Sequence, residues 1–414
     1  MSSDQNPASY STQSSATGDL QERDLPQKDI ARPQPELRPK VTVIIPARNE
    51  EENIGACLAS LVSQEGVSFE IIVVNDASMD RTREIASSFA GEKAGVNVGV
   101  KVIDAPPLPP GWIGKNNAVA AGARVAVGEW LLFTDADTVH QPGSLARAIA
   151  EAEQRGAALL SYSPEQKVGS FWEKAVMPLV FSDLAAHFEP AVVSNPASPI
   201  AAANGQYLLI SREAYDAVGG HAAISGSLLE DVQLARNVKS SGRAIFFRYG
   251  ADAVSTRMYR NFAQLREGWT KNLALLFPDS ARLATLRTAE FIAISACLAV
   301  IVVGIVMGWS MLAVNGAVMA ILLTGNYMSR VLRAHFSFAI SLLAIAGLPV
   351  YAYLLRRSRL YYKSGGITWK GRSYAGNAQN ISSSGAPAIK SADNADAENQ
   401  KPSDKKIHEL SASR

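Results

Sequence analysis

Two aspartates two positions apart, Asp135 and Asp137, follow the short apolar run Trp130–Phe133 inside the stretch Gly128–Val139. Alternate side chains of an extended chain share a face, so the two carboxylates are expected close enough to hold one divalent ion. Clustered carboxylates repel and desolvate one another unless a cation stands between them. A metal ion that also bridges substrate phosphates suits that position. The plain alternative is a strand end followed by a polar turn.

The elements around this stretch decide between the two. Val41–Ile45 reads as a strand, with Pro46, Arg48, Asn49 and Glu50 at its carboxyl end, and Glu50 to Ser63 has helical spacing. Ile71–Val74 reads as a second buried strand ending in Asn75 and Asp76, followed by a helix over Arg81–Phe89. Lys101–Ile103 is a third strand, and the Ala-rich helix Gly114–Val127 leads into the strand before Asp135. Strands alternating with helices imply an α/β domain with a mostly parallel sheet flanked by helices. Such sheets bind ligands outside the carboxyl ends of their strands. Three strand ends loaded with polar groups there favour the metal and phosphate reading over three unrelated turns.

The region that follows is less regular. Leu159–Tyr162 and Gln206–Ser211 read as strands, and Leu228–Val238 as a helix opening with Glu230 and Asp231. Tyr259–Leu276 keeps Tyr259, Phe262, Leu265, Trp269, Leu273 and Leu276 at helical steps, with Arg260, Arg266 and Lys271 elsewhere. That pattern fits a helix on a membrane surface as well as one facing a core.

Between Phe291 and Ser329 there is no charged residue. This is about twice the ~20 residues that cross a bilayer once. Gly308-Trp309 marks a turn within it, and Ala334–Leu355, interrupted by Pro349, is a third apolar segment. Two or three membrane helices are therefore expected over 288–356. Basic clusters precede the first, follow the second and follow the third. Three full spans cannot keep all three clusters on one side. The last segment is then re-entrant or interfacial, or its charges are translocated.

Residues 1–40 lack an apolar segment, so they read as a disordered tail and not a signal peptide. Residues 357–374 form a basic and aromatic patch containing Trp369 and Arg372, and residues 375–414 read as a second disordered tail. The 414-residue chain has a net charge of +2, which makes no global case for nucleic acid. Its two cysteines and five histidines show no spacing for a disulfide framework or a Cys/His metal site.

Together these residues resemble family 2 glycosyltransferases of the GT-A fold over roughly 41–276. The carriers are Val43-Ile-Ile-Pro-Ala-Arg-Asn-Glu50, Val73-Val-Asn-Asp-Ala-Ser-Met-Asp-Arg-Thr82, Gly114-Lys115, Thr134-Asp-Ala-Asp137 and Leu229-Glu-Asp231. Pro109-Pro-Gly-Trp-Ile-Gly-Lys115, the apolar tail and Trp369-Lys-Gly-Arg372 are similar to hopanoid-associated and carotenoid-type transferases. The resemblance implies a GT-A (Rossmann-like) α/β domain followed by membrane helices, in a multi-pass protein of the cell membrane with its catalytic domain in the cytoplasm. It implies Pro46 and Glu50 at the nucleoside pocket, Asp76 on a uracil edge, Lys115 on the nucleotide and Asp135 near the ribose and donor sugar. Asp137 would hold Mg²⁺ or Mn²⁺, and Asp231 would take the proton of an acceptor hydroxyl. The expected partners are a UDP-sugar and a lipid acceptor, or alternatively a polyprenyl phosphate or glycan. Trp269, Lys271, Trp369 and Arg372 are expected on the acceptor or membrane side. The chain departs from the family in having Asn75 where Asp-Asp is common. It also has Gln264-Leu-Arg-Glu-Gly-Trp269 where processive synthases have Q-x-x-R-W, which argues for single-sugar transfer.

Overall fold

A computed structural model describes residues 38–91 and 99–364, together with the backbone of 366–369 and 372–375. Residues 1–37 of the expected N-terminal tail, and the tail after Ala375, lie outside the described residues.

β-branched runs make the central strands. β1 (Val41–Ala47), β2 (Phe69–Asn75), β3 (Val100–Asp104) and β4 (Trp130–Phe133) pair in parallel, with Ile44 facing both Ile72 and Phe133. β5 (Thr138–His140) leaves the main sheet and pairs with β10 (Val254–Thr256), which also pairs with β7 (Glu165–Gln166). β6 (Leu159–Ser163), β8 (Leu208–Ser211) and β9 (Ile245–Tyr249) complete a seven-stranded sheet in the order β3-β2-β1-β4-β8-β6-β9. Only β8 runs antiparallel to its neighbours β4 and β6. Val43, Ile44, Ile71, Ile72 and Leu131 are wholly buried because helices cover both faces.

On one face, α1 (Ile54–Val62) buries Ile54, Cys57, Leu58 and Leu61, the helical spacing of a single stripe. It begins four residues later than its periodicity suggests, after a turn in which Asn49 has a left-handed φ of 52°. α2 (Thr82–Ser87) and α4 (Ser144–Gln154) join that side, while α3 (Gly114–Val125) lies on the other. Gly122 lets α3 approach β1 closely; a Cβ there would stand 2.6 Å from Ile44 Cγ2. α7 (Arg212–Ala217) and α8 (Glu230–Ser240) follow β8.

α5 (Phe171–His187) has no counterpart in the sequence reading, which left 168–188 unassigned. Ser170 and Glu173 form a reciprocal capping box at its start. Short α6 (Pro190–Ser194) continues it. α5 and α9 (Phe262–Leu276) share one apolar core with the C-terminal helices α10 (Ser280–Val306), α11 (Ser310–Val331) and α13 (Leu348–Lys363), and α12 (Phe338–Leu343) packs against α5. The apolar stripe of α9 faces this core: Leu265, Trp269 and Leu273 are at most 2% exposed. Ala274 N donates to Ser358 Oγ at 2.9 Å, tying α9 to α13.

Among the described residues, four helical stretches are long and apolar enough to cross a membrane: 171–194, 280–306, 310–334 and 338–363. They differ in setting. Only 11% and 17% of the apolar windows of α10 and of the stretch opened by α11 are buried, against 44% for the other two. α10 and α11 form a hairpin turning at Gly308 (φ 72°), and present exposed Ile292, Val302, Val306, Met311 and Ile321. Apolar surface on that scale needs a nonaqueous neighbour. The stretch with α12 and α13 is broken by a 3₁₀ turn at Ala344–Gly347, where Gly347 packs directly on the Ala175 backbone of α5.

Arg287 and Arg330 both pair with acids. Asp183 of α5 meets Arg287 Nη2 at 2.5 Å and Arg330 Nη1 at 3.3 Å. Glu290 takes Arg330 Nη2 at 2.7 Å, and Tyr351 Oη donates to Asp183 at 3.0 Å. Two arginines and two acids compensate one another in this buried cluster.

Candidate active site

The carboxyl ends of β1, β2 and β4 open onto one cavity of about 1210 Å³. Its polar part is braced by its own loops. Arg48 Nη1 donates to the Asp76 carbonyl at 2.7 Å, Asp76 N donates to the Ala47 carbonyl at 2.8 Å, and Glu50 N donates to Thr82 Oγ1 at 2.7 Å. Asn75 Nδ2 donates to Asp104 Oδ1 at 2.9 Å, and Asn75 Oδ1 accepts from Ser78 N. Asn75 is thereby a loop brace, whereas Pro46, Glu50 and buried Asp76 line the cavity.

Asp135 and Asp137 both line the cavity, but not as alternate positions of an extended strand. β4 ends at Phe133, and the pair sits on the turn into β5. Buried Thr134 anchors that turn by donating to the Gln206 carbonyl at 2.8 Å. Thr256 Oγ1 donates to the Asp137 carbonyl at 3.1 Å.

The cation beside Asp135 is Lys115, from the first turn of α3. Its Nζ lies 2.7 Å from Asp135 Oδ1 and 2.8 Å from Glu230 Oε1. Burial works against charge on Lys115, but Asp135 and Glu230 outweigh it and hold the amine well above its ordinary value. Burial likewise opposes charge on Glu230, and Lys115 holds that carboxyl below its ordinary value. Asp231, next in the first turn of α8, accepts from Gly205 N and from Val232 N, each at 2.8 Å. Burial and the neighbouring Glu230 push its carboxyl up to about 6. Adjacent carboxyls with opposite shifts are the arrangement of an acid held ionised beside a proton acceptor.

Sequence reasoning missed Glu230 as the partner of Lys115 and Gly205 as the floor beneath both acids. A Cβ at Gly205 would stand 3.1 Å from Lys115 Nζ and 3.5 Å from Asp231 Oδ2. The signals were present in the doublet Glu230-Asp231 at a helix start and the glycine just before β8. α9 adds Trp269 and Lys271 to the lining. Trp269 meets Tyr259 and Phe181 ring to ring at 5.8 and 6.1 Å. Burial lowers the Lys271 amine, with Glu230 the largest counterweight. Trp369 and Arg372 face one another across a hairpin of β11 (Gly366–Trp369) and β12 (Arg372–Ala375); their side chains lie outside the described residues.

No group of three or more Asp, Glu, His or Cys among the described residues forms a complete metal cage. A Mg²⁺-type ion does not need one, since it takes one or two carboxylates and completes its shell with phosphate oxygens and water. Asp135, Asp137, Glu230 and Asp231 give the cavity hard oxygen donors in excess of the two amines Lys115 and Lys271. That donor set fits a divalent ion.

Residues 42–219 match the model of the family described as Glycosyl transferase family 2. The 4,4'-diaponeurosporenoate glycosyltransferase of Staphylococcus aureus (strain USA300) is 30% identical over 243 residues, 56% of this chain. The chain spans only 60% of the length of that relative. Among solved structures, a mannosyltransferase from Pyrobaculum calidifontis in complex with GDP-Man and Mn²⁺ is similar at 16% identity and a TM-score of 0.43, over 79% of this chain and 87% of that one. Glucosyl-3-phosphoglycerate synthase from Mycobacterium tuberculosis, in complex with phosphoglyceric acid, is similar at 19% identity and a TM-score of 0.38, over 58% and 79%.

Proposed function

We propose that this chain, a member of glycosyl transferase family 2 through residues 42–219, is a membrane-anchored enzyme that transfers one sugar from a UDP-sugar to a terpenoid lipid of hopanoid or carotenoid type, with inversion. The observation that carries the reading is a single cavity. The same space is lined by Asp76 and Asp135, which follow β2 and β4, by Lys115 and Asp231 at the starts of α3 and α8, and by Arg333–His335, the turn between two apolar helices. A donor site that continues to the membrane segment suits an acceptor that never leaves the bilayer. The curated relative named for a carotenoid acid supports the acceptor class.

In this mechanism Pro46, Glu50 and Asp76 hold the nucleoside, with Asp76 on the uracil edge. Asp135 stands near the ribose and donor sugar. Asp137 would hold Mg²⁺ or Mn²⁺, which when bound neutralises charge on the diphosphate. Lys115 adds a fixed cation on the same side. Asp231 takes the proton of the acceptor hydroxyl as its oxygen attacks the anomeric carbon. The bond to the diphosphate breaks on the opposite face, and UDP leaves with the electron pair. Gly205 and Val232 hold the Asp231 carboxylate while the reaction proceeds. In this reading the protein is multi-pass in the cell membrane, with its sugar-transfer domain in the cytoplasm.

The test is UDP release by the detergent-solubilised full chain with Mn²⁺, across a panel of UDP-sugars, with and without a native lipid extract. Release that requires both one sugar and the lipid supports the reading. Release equal with and without lipid, or no UDP binding at all, overturns it.

A further inference from the structure

The turn between α11 and α12 carries the apolar hairpin to the cavity, through Arg333, Ala334 and His335. His335 has a left-handed φ of 62°, a backbone state that side chains other than glycine rarely adopt. Its ring lies flat on that of Tyr249, with centroids 4.0 Å apart and planes within 7°. Tyr249 is the last residue of β9, the edge strand of the main sheet, and it also lines the cavity. A strained residue of the membrane segment is thus held to the sheet edge by one ring contact. α5 adds apolar Phe181 and Leu184 to the same lining, and Phe188 joins them just past its end. Strain of this kind persists only where surroundings enforce it, and it gathers at clamps and switch points.

We propose that the Tyr249–His335 pair is the entrance through which the acceptor's apolar body passes from the bilayer into the cavity, and that it determines which bodies fit. The inference rests on the lipid-acceptor reading above. Flat aromatic faces accept rigid, extended or fused-ring hydrocarbon at low conformational cost. Parting the two rings lets the His335 backbone relax, so the entrance opens without disturbing the sheet. The nucleotide end, built on other strands, is left unchanged.

The experiment uses the full chain in phosphatidylcholine and phosphatidylglycerol bilayers. The first probe is a long-chain alcohol carrying a diazirine and an alkyne. Photolabelling is expected on the peptides holding Tyr249 and Arg333–His335, and to fall with excess unlabelled alcohol. Label confined to the outer faces of α10 and α11 overturns the proposal. The second measurement is UDP release against a titrated lipid extract. His335→Ala and Tyr249→Ala are expected to raise the KM for lipid about tenfold while leaving the KM for donor and the affinity for UDP unchanged. His335→Phe, which keeps a stacking ring, is expected to restore the wild-type lipid dependence. Lipid dependence unchanged in His335→Ala, or an equal change in UDP affinity, overturns the entrance. Failure of the transfer reading registers separately, as a wild-type chain that binds no UDP, and the labelling pattern still reports the entrance.

Discussion

Lys115 Nζ stands 2.8 Å from Oε1 of Glu230, and Asp231 follows in the same first turn of α8. Asp231 is held by the backbone N–H groups of Gly205 and Val232, and its carboxyl is raised to about 6 by burial and by Glu230. A base works only when ionised, so turnover is expected to rise as the pH increases through about 6. Asp231→Asn should cut turnover by about 10²-fold or more and leave no limb in that range. UDP affinity of the variant, read by calorimetry, should stay near wild type. Loss of UDP binding would remove Asp231 from the role of base.

Glu230 raises Asp231 by charge repulsion, so the two can be separated by titration. In Glu230→Gln the repulsion is gone while Lys115 remains. The acidic limb of the pH profile is expected to move to lower pH, together with weaker turnover from a misplaced Lys115. A limb that stays in place would mean that a different group titrates.

Asp137→Asn keeps the side-chain volume and the carbonyl that accepts from Thr256 Oγ1. The fold should survive, with an unchanged thermal transition. Metal-stimulated UDP release should disappear, and Mn²⁺ bound in the presence of UDP, followed by electron paramagnetic resonance, should fall with it. Mn²⁺ binding equal to wild type would take Asp137 out of the metal site.

The polar end of the cavity is legible in the sequence because its parts are local. Val41–Ile45 and Ile71–Val74 are runs that only a buried strand accommodates, and each is followed at once by polar residues. Asp135 and Asp137 were found by spacing, yet the geometry assumed for them was wrong because a turn, not a strand, carries them. α5 was illegible by periodicity: it is apolar on nearly every side, so no amphipathic stripe marks it, and only the Ser170–Glu173 capping box announces it. The pairing of Asp183 with Arg287 joins residues 104 positions apart and leaves no local trace.

That pairing carries its own expectation. Asp183 is 6% exposed and compensates two arginines at once. Removing it leaves buried charge without compensation, which costs roughly 3–5 kcal/mol. Asp183→Ala should therefore lower the thermal transition in detergent strongly. The double variant with Arg287→Ala should lose much less than the sum of the two single variants, as expected for groups in one network. Additive losses would show that the two residues act independently.

Cutting the chain before α10 is the usual route to a soluble catalytic domain, and the packing predicts that it fails here. α9 buries Leu265, Trp269 and Leu273 against α5 and the C-terminal helices, and Tyr362 Oη of α13 donates to the Lys271 carbonyl at 2.7 Å. Exposing three such side chains costs roughly 1.5–3 kcal/mol each. That sum rivals the ~5–15 kcal/mol by which an ordinary domain is stable. A chain ending at residue 279 is expected to aggregate, or to remain with the membrane fraction through α5 and α9. The check is size-exclusion chromatography without detergent, alongside UDP binding. A monodisperse truncated protein that binds UDP would show that the shared core is dispensable to the nucleotide site.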